Sequence, residues 1–222
     1  MFIACWSVKG GSGTTVVATA LALLLAEKTA DDVVLVDLAG DVPATLGLAE
    51  PAGPGVAEWL AAGAAVPADG WSRLEVPAGP NVLVVPRGAG SLAPAERVDV
   101  LCSLLAVDHR PVVVDCGLVR SGAGQDSEAA RTFAGSATTS LLVTRGSYLA
   151  LRRTQGLPVH PSGVVYVRDP GCGLDGREVG DLIGAPVWAE VASDPAVLRA
   201  VDAGLLRHRL PRALERAFRH VA

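Results

Sequence analysis

The sequence predicts an α/β protein built on a mostly parallel sheet of about seven strands, with helices on both faces. Three observations lead there. Short apolar runs alternate with segments of helical length, the pattern of repeated strand–helix units. Half of the residues are hydrophobic but only 4% are aromatic, so the apolar mass is mostly Ala, Val and Leu, as in valine-rich strands covered on both sides. Two runs, Val33-Val34-Leu35-Val36-Asp37 and Val112-Val113-Val114-Asp115, are wholly apolar and then stop at an acid, as strands do when they deliver a polar group to the carboxyl edge of a sheet.

Taken in order, strands are expected over Phe2 to Val8, Val33 to Asp37, Asn81 to Val85, Pro111 to Asp115, Thr139 to Thr144, Gly163 to Val167 and Pro186 to Val191. Helices are expected over Thr14 to Glu27, Gly55 to Ala62, Ala93 to Val107, Ser127 to Ala134, Tyr148 to Thr154, Asp175 to Ile183, Pro195 to Ala203 and Pro211 to Val221. The Pro-, Gly- and Ala-rich stretch from Gly40 to Pro80 reads as an excursion with a short helix around Trp59 before the chain returns to the sheet. At 222 residues the chain suits one large domain over residues 1–222 and is too short to divide comfortably into two.

A formal charge of −4 argues against a surface that is all nucleic-acid footprint, so any basic patch must be local. The apolar stretch Val16 to Ala26 follows a glycine loop and ends at Glu27 and Lys28, which fits a buried helix; neither an export signal nor a membrane span is expected. Cys5, Cys102, Cys116 and Cys172 lack metal-ligand spacing and read as reduced, small core residues. His109, His160, His208 and His220 have no nucleophile or paired acid around them, and no catalysis is assigned to them.

Directly after the first strand comes Lys9-Gly10-Gly11-Ser12-Gly13-Thr14-Thr15, and then an apolar helix. Successive glycines let backbone N–H groups turn inward around an anion, and the helix N-terminus adds its dipole. Thr15 stands where the hydroxyl of such a phosphate loop coordinates Mg²⁺. A dinucleotide-binding turn is the competing reading, with Gly11 and Gly13 as its first two glycines and Asp37 as a ribose-binding acid. It fails at Val16, where close helix–strand packing requires a small residue.

The Lys-Gly-Gly-x-Gly-x-Thr pattern resembles the deviant Walker A loop of the MinD/ParA family of P-loop ATPases. Residues Gly10 to Thr15 would then cradle ATP or ADP, Thr15 and Asp115 would hold Mg²⁺, and Lys9 would be the signature lysine that reaches phosphates, typically across a nucleotide-dependent homodimer. Lys9 and Lys28 are the only lysines in a chain that otherwise uses arginine. By the same resemblance, Asp37 corresponds to the first acid of the switch segment, and Asp115 to the Walker B acid that supports Mg²⁺ through water. Val187 to Pro195, including Asp194, resembles the family's late strand and the loop over the nucleotide base.

The chain departs from the family at four places. Thr14 occupies the position of the ordinary P-loop lysine, and Ala39 that of the second switch acid, for which Asp41 would substitute only in a rearranged loop. Cys116-Gly117 follows Asp115 in place of a proline-type turn, and Val167-Arg168 stands where the family often has an Asn-Arg base contact. Losing a charged phosphate contact costs on the order of 10² to 10⁴ in rate. The resemblance therefore implies an ATP-binding positioning switch for cell division, chromosome partitioning or a pilus or secretion apparatus, with weak or absent hydrolysis. The alternatives are a pseudo-ATPase kept as a protein-binding scaffold and an NAD(P)-binding oxidoreductase.

In the last segment Leu210, Ala213, Leu214, Ala217, Phe218 and Val221 share one helical face, while Arg212, Arg216 and Arg219 lie opposite, near Arg207 and Arg209. This is either the closing helix of the domain or a basic tail that meets anionic lipid or DNA. The implied setting is cytoplasmic, with a peripheral position on the inner membrane face open to such a tail, and a protein partner from the division, pilus or secretion machinery.

Overall fold

A computed structural model describes residues 1–63, 66–67, 69–120, 122, 124–156 and 159–219. The chain runs β1 (Phe2–Ser7), α1 (Thr14–Ala26), β2 (Val33–Asp37), α2 (Val42–Leu46), α3 (Val56–Ala61), β3 (Val76–Gly79), β4 (Val82–Val85), α4 (Ala95–Val107) and β5 (Val112–Leu118). It continues through α5 (Gln125–Ser136), β6 (Thr139–Arg145), α6 (Tyr148–Arg153), β7 (Gly163–Arg168), α7 (Gly176–Ile183), β8 (Val187–Ala192), α8 (Pro195–Asp202) and α9 (Arg212–Phe218). The strands form one eight-stranded sheet in the order β3-β4-β2-β5-β1-β6-β7-β8. Every neighbouring pair is parallel except β3–β4.

The eighth strand is β3, an antiparallel edge strand inside the segment expected to be an excursion. Its sequence, Val-Pro-Ala-Gly, is short and carries a proline, which a sheet accepts only at an edge. The five-residue helix α2 was also not expected, because a single turn opened by Pro43 leaves no periodic signature. The strand expected to end at Asp115 continues to Leu118. Helix α9 ends at Phe218; Val221 and His220 lie outside the described residues.

Side chains alternate across each strand, so the two faces have separate cores. Phe2, Ala4, Trp6, Val34, Val36, Val112 and Val114 pack with Trp59 and Leu60 of α3, Leu101 and Leu105 of α4, and Phe133 of α5. Ile3, Cys5, Val33, Leu35, Val113, Leu141 and Val143 face the other way, against α1, Leu46 of α2, and Leu214 and Phe218 of α9. Helix α1 is buried on almost every side, which explains an apolar sequence without a polar stripe. Helices α6 and α7 cover β7 through Leu151 and Val179.

The connections from β1 and β6 leave in opposite directions, β1 toward β2 and β6 toward β7. Adjacent strands whose loops diverge open a crevice at their carboxyl ends, the usual ligand position in such sheets. Behind it, α2 and α8 meet through glycines. Gly47 (φ +65°) and Gly204 (φ +63°) adopt left-handed conformations, and a Cβ on Gly47 would lie 2.1 Å from the Gly204 carbonyl oxygen. Among the described residues, no helix is long and apolar enough to cross a membrane.

Candidate functional site

The glycine loop leaves β1 at the divergence point and delivers the chain into α1. Gly11 (φ +77°) and Gly13 (φ +95°) take left-handed conformations that an ordinary side chain resists. A Cβ built on Gly10, Gly11 or Gly13 would meet nothing within 4 Å, so open space lies over the loop. The Ser12 hydroxyl donates to the Lys9 carbonyl at 2.7 Å and closes the turn from inside. Gly13 caps α1 without a side-chain acceptor, and the first turn holds no acid. The leading amides of a thirteen-residue helix are therefore left for an external anion.

Beside the loop, Asp37 and Asp115 sit in register on β2 and β5, and Cys5 of β1 is the other partner of Asp115. Both carboxylates are fully buried, yet they are held differently. Asp37 is saturated by its own loop: Oδ1 accepts from the amides of Ala39 (2.9 Å) and Gly40 (2.7 Å), and Oδ2 from that of Val42 (3.0 Å). Asp115 accepts from the Gly117 amide at 3.0 Å through Oδ1, while its buried Oδ2 has no hydrogen-bond partner among the described residues. Burial, followed by the nearby Asp37 charge, pushes the Asp115 carboxyl up to about 7, against the pull of the Thr15 hydroxyl and the Gly117 amide. Burial likewise raises the Asp37 pKa, although its three backbone donors oppose the rise.

An unpartnered buried carboxylate oxygen, close to Thr15 and below an anion cradle, fits a hydrated divalent cation. Among the described residues no group of three His, Cys, Asp or Glu side chains is placed to hold a metal. A cation here would thus draw on Thr15, on waters held by Asp115 and on phosphate oxygens, the pattern Mg²⁺ favours.

The other residues singled out from sequence divide into two groups. Thr14 is buried at the start of α1 and brings no charge to the loop. Lys9 is half-buried at the loop entrance, with its ammonium in no ion pair among the described residues. Asp41 is exposed and near enough to Asp37 and Asp115 to raise both. Asp194 lies beyond β8, three strands from β1, and its Oδ1 caps α8 by accepting from the Ala196 amide at 2.7 Å. Arg168 pairs with Glu190 at 3.1 Å across β7 and β8.

Two arginines carry information that the motifs did not. Arg87 donates to the Leu38 carbonyl (3.1 Å) and pairs with Asp126 (2.7 Å), bracing the loop after Asp37 beside a cleft of about 360 Å³. Arg145, the last residue of β6, donates from Nε to the Gly11 carbonyl at 3.1 Å and pairs with Asp169. Its signal was available as a cation directly after an apolar strand, but the neighbour of that strand in the sheet could not be read.

The same arrangement of sheet and helices occurs in solved proteins. A ParA family ATPase from Chlorobium tepidum TLS superposes with a TM-score of 0.74 at 17% identity, over 97% of this chain and 95% of that one. MinD from Pyrococcus horikoshii OT3, complexed with Mg-ADP, gives 0.73 at 19% identity over 97% and 91%. An ATP complex of McdA from Cyanothece gives 0.69 at 20% identity over 100% and 95%. The fold is that of the MinD and ParA ATPases. No protein-family model and no curated protein matches the sequence. On this MinD/ParA fold, the loop at Lys9 to Thr15 lies between the diverging strands, with the two aspartates on one side and Arg145 on the other.

Proposed function

We propose that the protein is a nucleotide-binding switch of the MinD/ParA kind, working in subcellular positioning, with weak or absent hydrolysis. The observation that carries this reading is the open glycine cradle over an uncapped helix N-terminus, set beside a buried, unpartnered oxygen of Asp115. In this reading the amides of Gly10 to Thr14 hold the β- and γ-phosphates of ATP or ADP, and Thr15 with Asp115 keeps Mg²⁺ against them. The metal would supply charge neutralisation of the phosphates and relieve the Asp115 carboxylate. Asp194 closes the base side through its loop, and residues 1–222 act as one domain.

The chemistry of turnover is poorly provided for. Thr14 offers no cation to the transferring phosphoryl group, and Ala39 offers no carboxylate to a water. Asp37 already accepts three backbone hydrogen bonds, so it shapes the switch loop rather than abstracting a proton. Asp41, exposed and near both Asp37 and Asp115, is the acid this reading would assign to a water. Binding without efficient cleavage suits a protein whose output is a bound state. That state would be a homodimer in which Lys9, free at the loop entrance, reaches the partner's nucleotide.

Partners follow from the same reading. The solved relatives include a MinC:MinD complex, which supports a protein partner from a division, partitioning, pilus or secretion system. The apolar face of α9 is occupied by packing on α1 and β8 through Leu214, Ala217 and Phe218. Contact of this cytoplasmic protein with anionic lipid or DNA would rest on Arg209, Arg212, Arg216 and Arg219, which point outward. It would be electrostatic and salt-sensitive rather than insertive. Thr14 and Ala39 favour a second reading, in which the fold serves as a scaffold without nucleotide.

Light scattering on the full chain separates the two. The switch reading expects a monomer alone and a dimer with Mg-ATP, lost in Lys9→Ala. One mass under all conditions would favour the scaffold.

A further inference from the structure

We propose that Arg145 supplies to the bound phosphates the positive charge that Thr14 withholds, an inference that rests on the nucleotide-switch reading. Strand β6 pairs with β1 up to Trp6 and Leu142, so three residues further on Arg145 comes level with Lys9 at the mouth of the loop. Its guanidinium is fixed on two sides, by Nε on the Gly11 carbonyl and by Nη1 on Asp169. Nη2 has no acceptor among the described residues, and 30% of the side chain remains exposed.

This geometry differs from that of a loose surface arginine. The Gly11 contact ties the cation to the backbone that turns around the anion, and Asp169 sets the plane of the fork. An arginine stays charged at every working pH and donates in a rigid pattern suited to phosphate. The need is also local. A polyanion entering this crevice meets Asp37 and Asp115 on the β5 side and neutral Thr14 in the loop. Besides Mg²⁺, the cations at the loop among the described residues are Lys9, on a flexible stem, and Arg145, already oriented. Asp169 is then a positioning residue: it holds the guanidinium at the loop and yields part of its share to a phosphate oxygen.

The test is titration calorimetry of Mg-ATP, Mg-ADP and AMP into the full chain, as wild type, Arg145→Gln, Arg145→Lys and the double variant Arg145→Gln/Thr14→Lys. Glutamine retains a donor for the Gly11 carbonyl while removing charge, so it spares a merely structural tie. Mg-ATP affinity is expected to fall about 10- to 100-fold in Arg145→Gln, with AMP little changed. Arg145→Lys should lose less, and Thr14→Lys should restore affinity to the glutamine variant by returning a cation from the other side of the loop. Equal binding by wild type and Arg145→Gln, an equal loss for all three nucleotides, or no rescue by Thr14→Lys would overturn the assignment while leaving the switch reading intact. Absence of Mg-ATP binding by the wild type at millimolar nucleotide would instead remove the switch reading, and this assignment with it.

Discussion

Replacing Asp115 with asparagine should make the nucleotide-free protein more stable at neutral pH while weakening its hold on Mg-nucleotide. The side chain is fully buried, accepts one hydrogen bond from Gly117 and leaves Oδ2 without a partner, beside a second buried carboxylate. Its pKa rises from 3.8 to about 7, chiefly through burial and then through Asp37. At ~1.4 kcal/mol per pH unit, this rise corresponds to roughly 4 kcal/mol of cost for the ionised folded form. Between about pH 4 and 7 the folded chain retains a proton that the unfolded chain has released. Stability therefore falls as pH rises through that window and levels off above it. Asp108 and Asp126, held below the ordinary carboxylate value, act in the opposite sense only as the pH falls below that window.

Asparagine keeps the acceptor for Gly117 and removes the charge, but buries an amide in exchange. The expected net gain at pH 8 is about 2–3 kcal/mol, or ~5–10 °C in Tm for a chain of this size. Thermal unfolding from pH 5 to pH 8 in a chelator, for wild type and Asp115→Asn, measures it. The variant should show a much shallower fall with pH and a higher Tm at pH 8. An unchanged pH slope, or a Tm at pH 8 at or below that of wild type, would refute the placement of an unrelieved carboxylate at the loop. The same placement expects Mg-ADP to raise the Tm of the wild type more than that of the variant, a conflict between stability and function common at binding sites.

Asp37→Ala strips the acceptor from the amides of Ala39, Gly40 and Val42 and should cost about 3 kcal/mol or more in urea unfolding, with Asp37→Asn costing less. Gly47→Ala should lose about 2–5 kcal/mol, because strain at φ +65° adds to a collision with the Gly204 carbonyl; a Tm equal to wild type would contradict the α2–α8 contact. Thr14→Lys should raise Mg-ATP affinity about 10- to 100-fold by adding a cation within the loop, and an unchanged calorimetric affinity would contradict a shortage of positive charge at that position.

The elements most legible in the sequence were those whose periodicity is set by burial on both sides. The runs Val33–Val36 and Val112–Val114 are apolar throughout because helices cover both faces of the sheet, and the seven expected strands form its parallel part together with the last three residues of β5. Strand β3 was hidden because an edge strand of four residues tolerates Pro77 and needs no alternation. The glycine loop was legible because its backbone conformations demand glycine at Gly11 and Gly13.

What sequence could not yield is how neighbours across the sheet use one another's atoms. Asp37 and Asp115 looked equivalent, each an acid ending a valine run. Only the fold gives Asp37 three amides and leaves one oxygen of Asp115 bare. Arg145 stands 134 residues from Gly11, and no local pattern marks a contact that exists because β6 lies beside β1. The arginines of the last helix could be read as a face, but whether the opposite face was free depended on α1 and β8, which cover it.

The loop from Lys9 to Thr15 is expected to bind nucleotide phosphates together with Mg²⁺. Calorimetric titration of ATP into the purified protein, with and without Mg²⁺ and with Lys9→Ala alongside, tests it directly. Micromolar binding that requires Mg²⁺ and weakens in Lys9→Ala is the predicted result. No binding at millimolar ATP, or binding indifferent to both Mg²⁺ and Lys9, would contradict it.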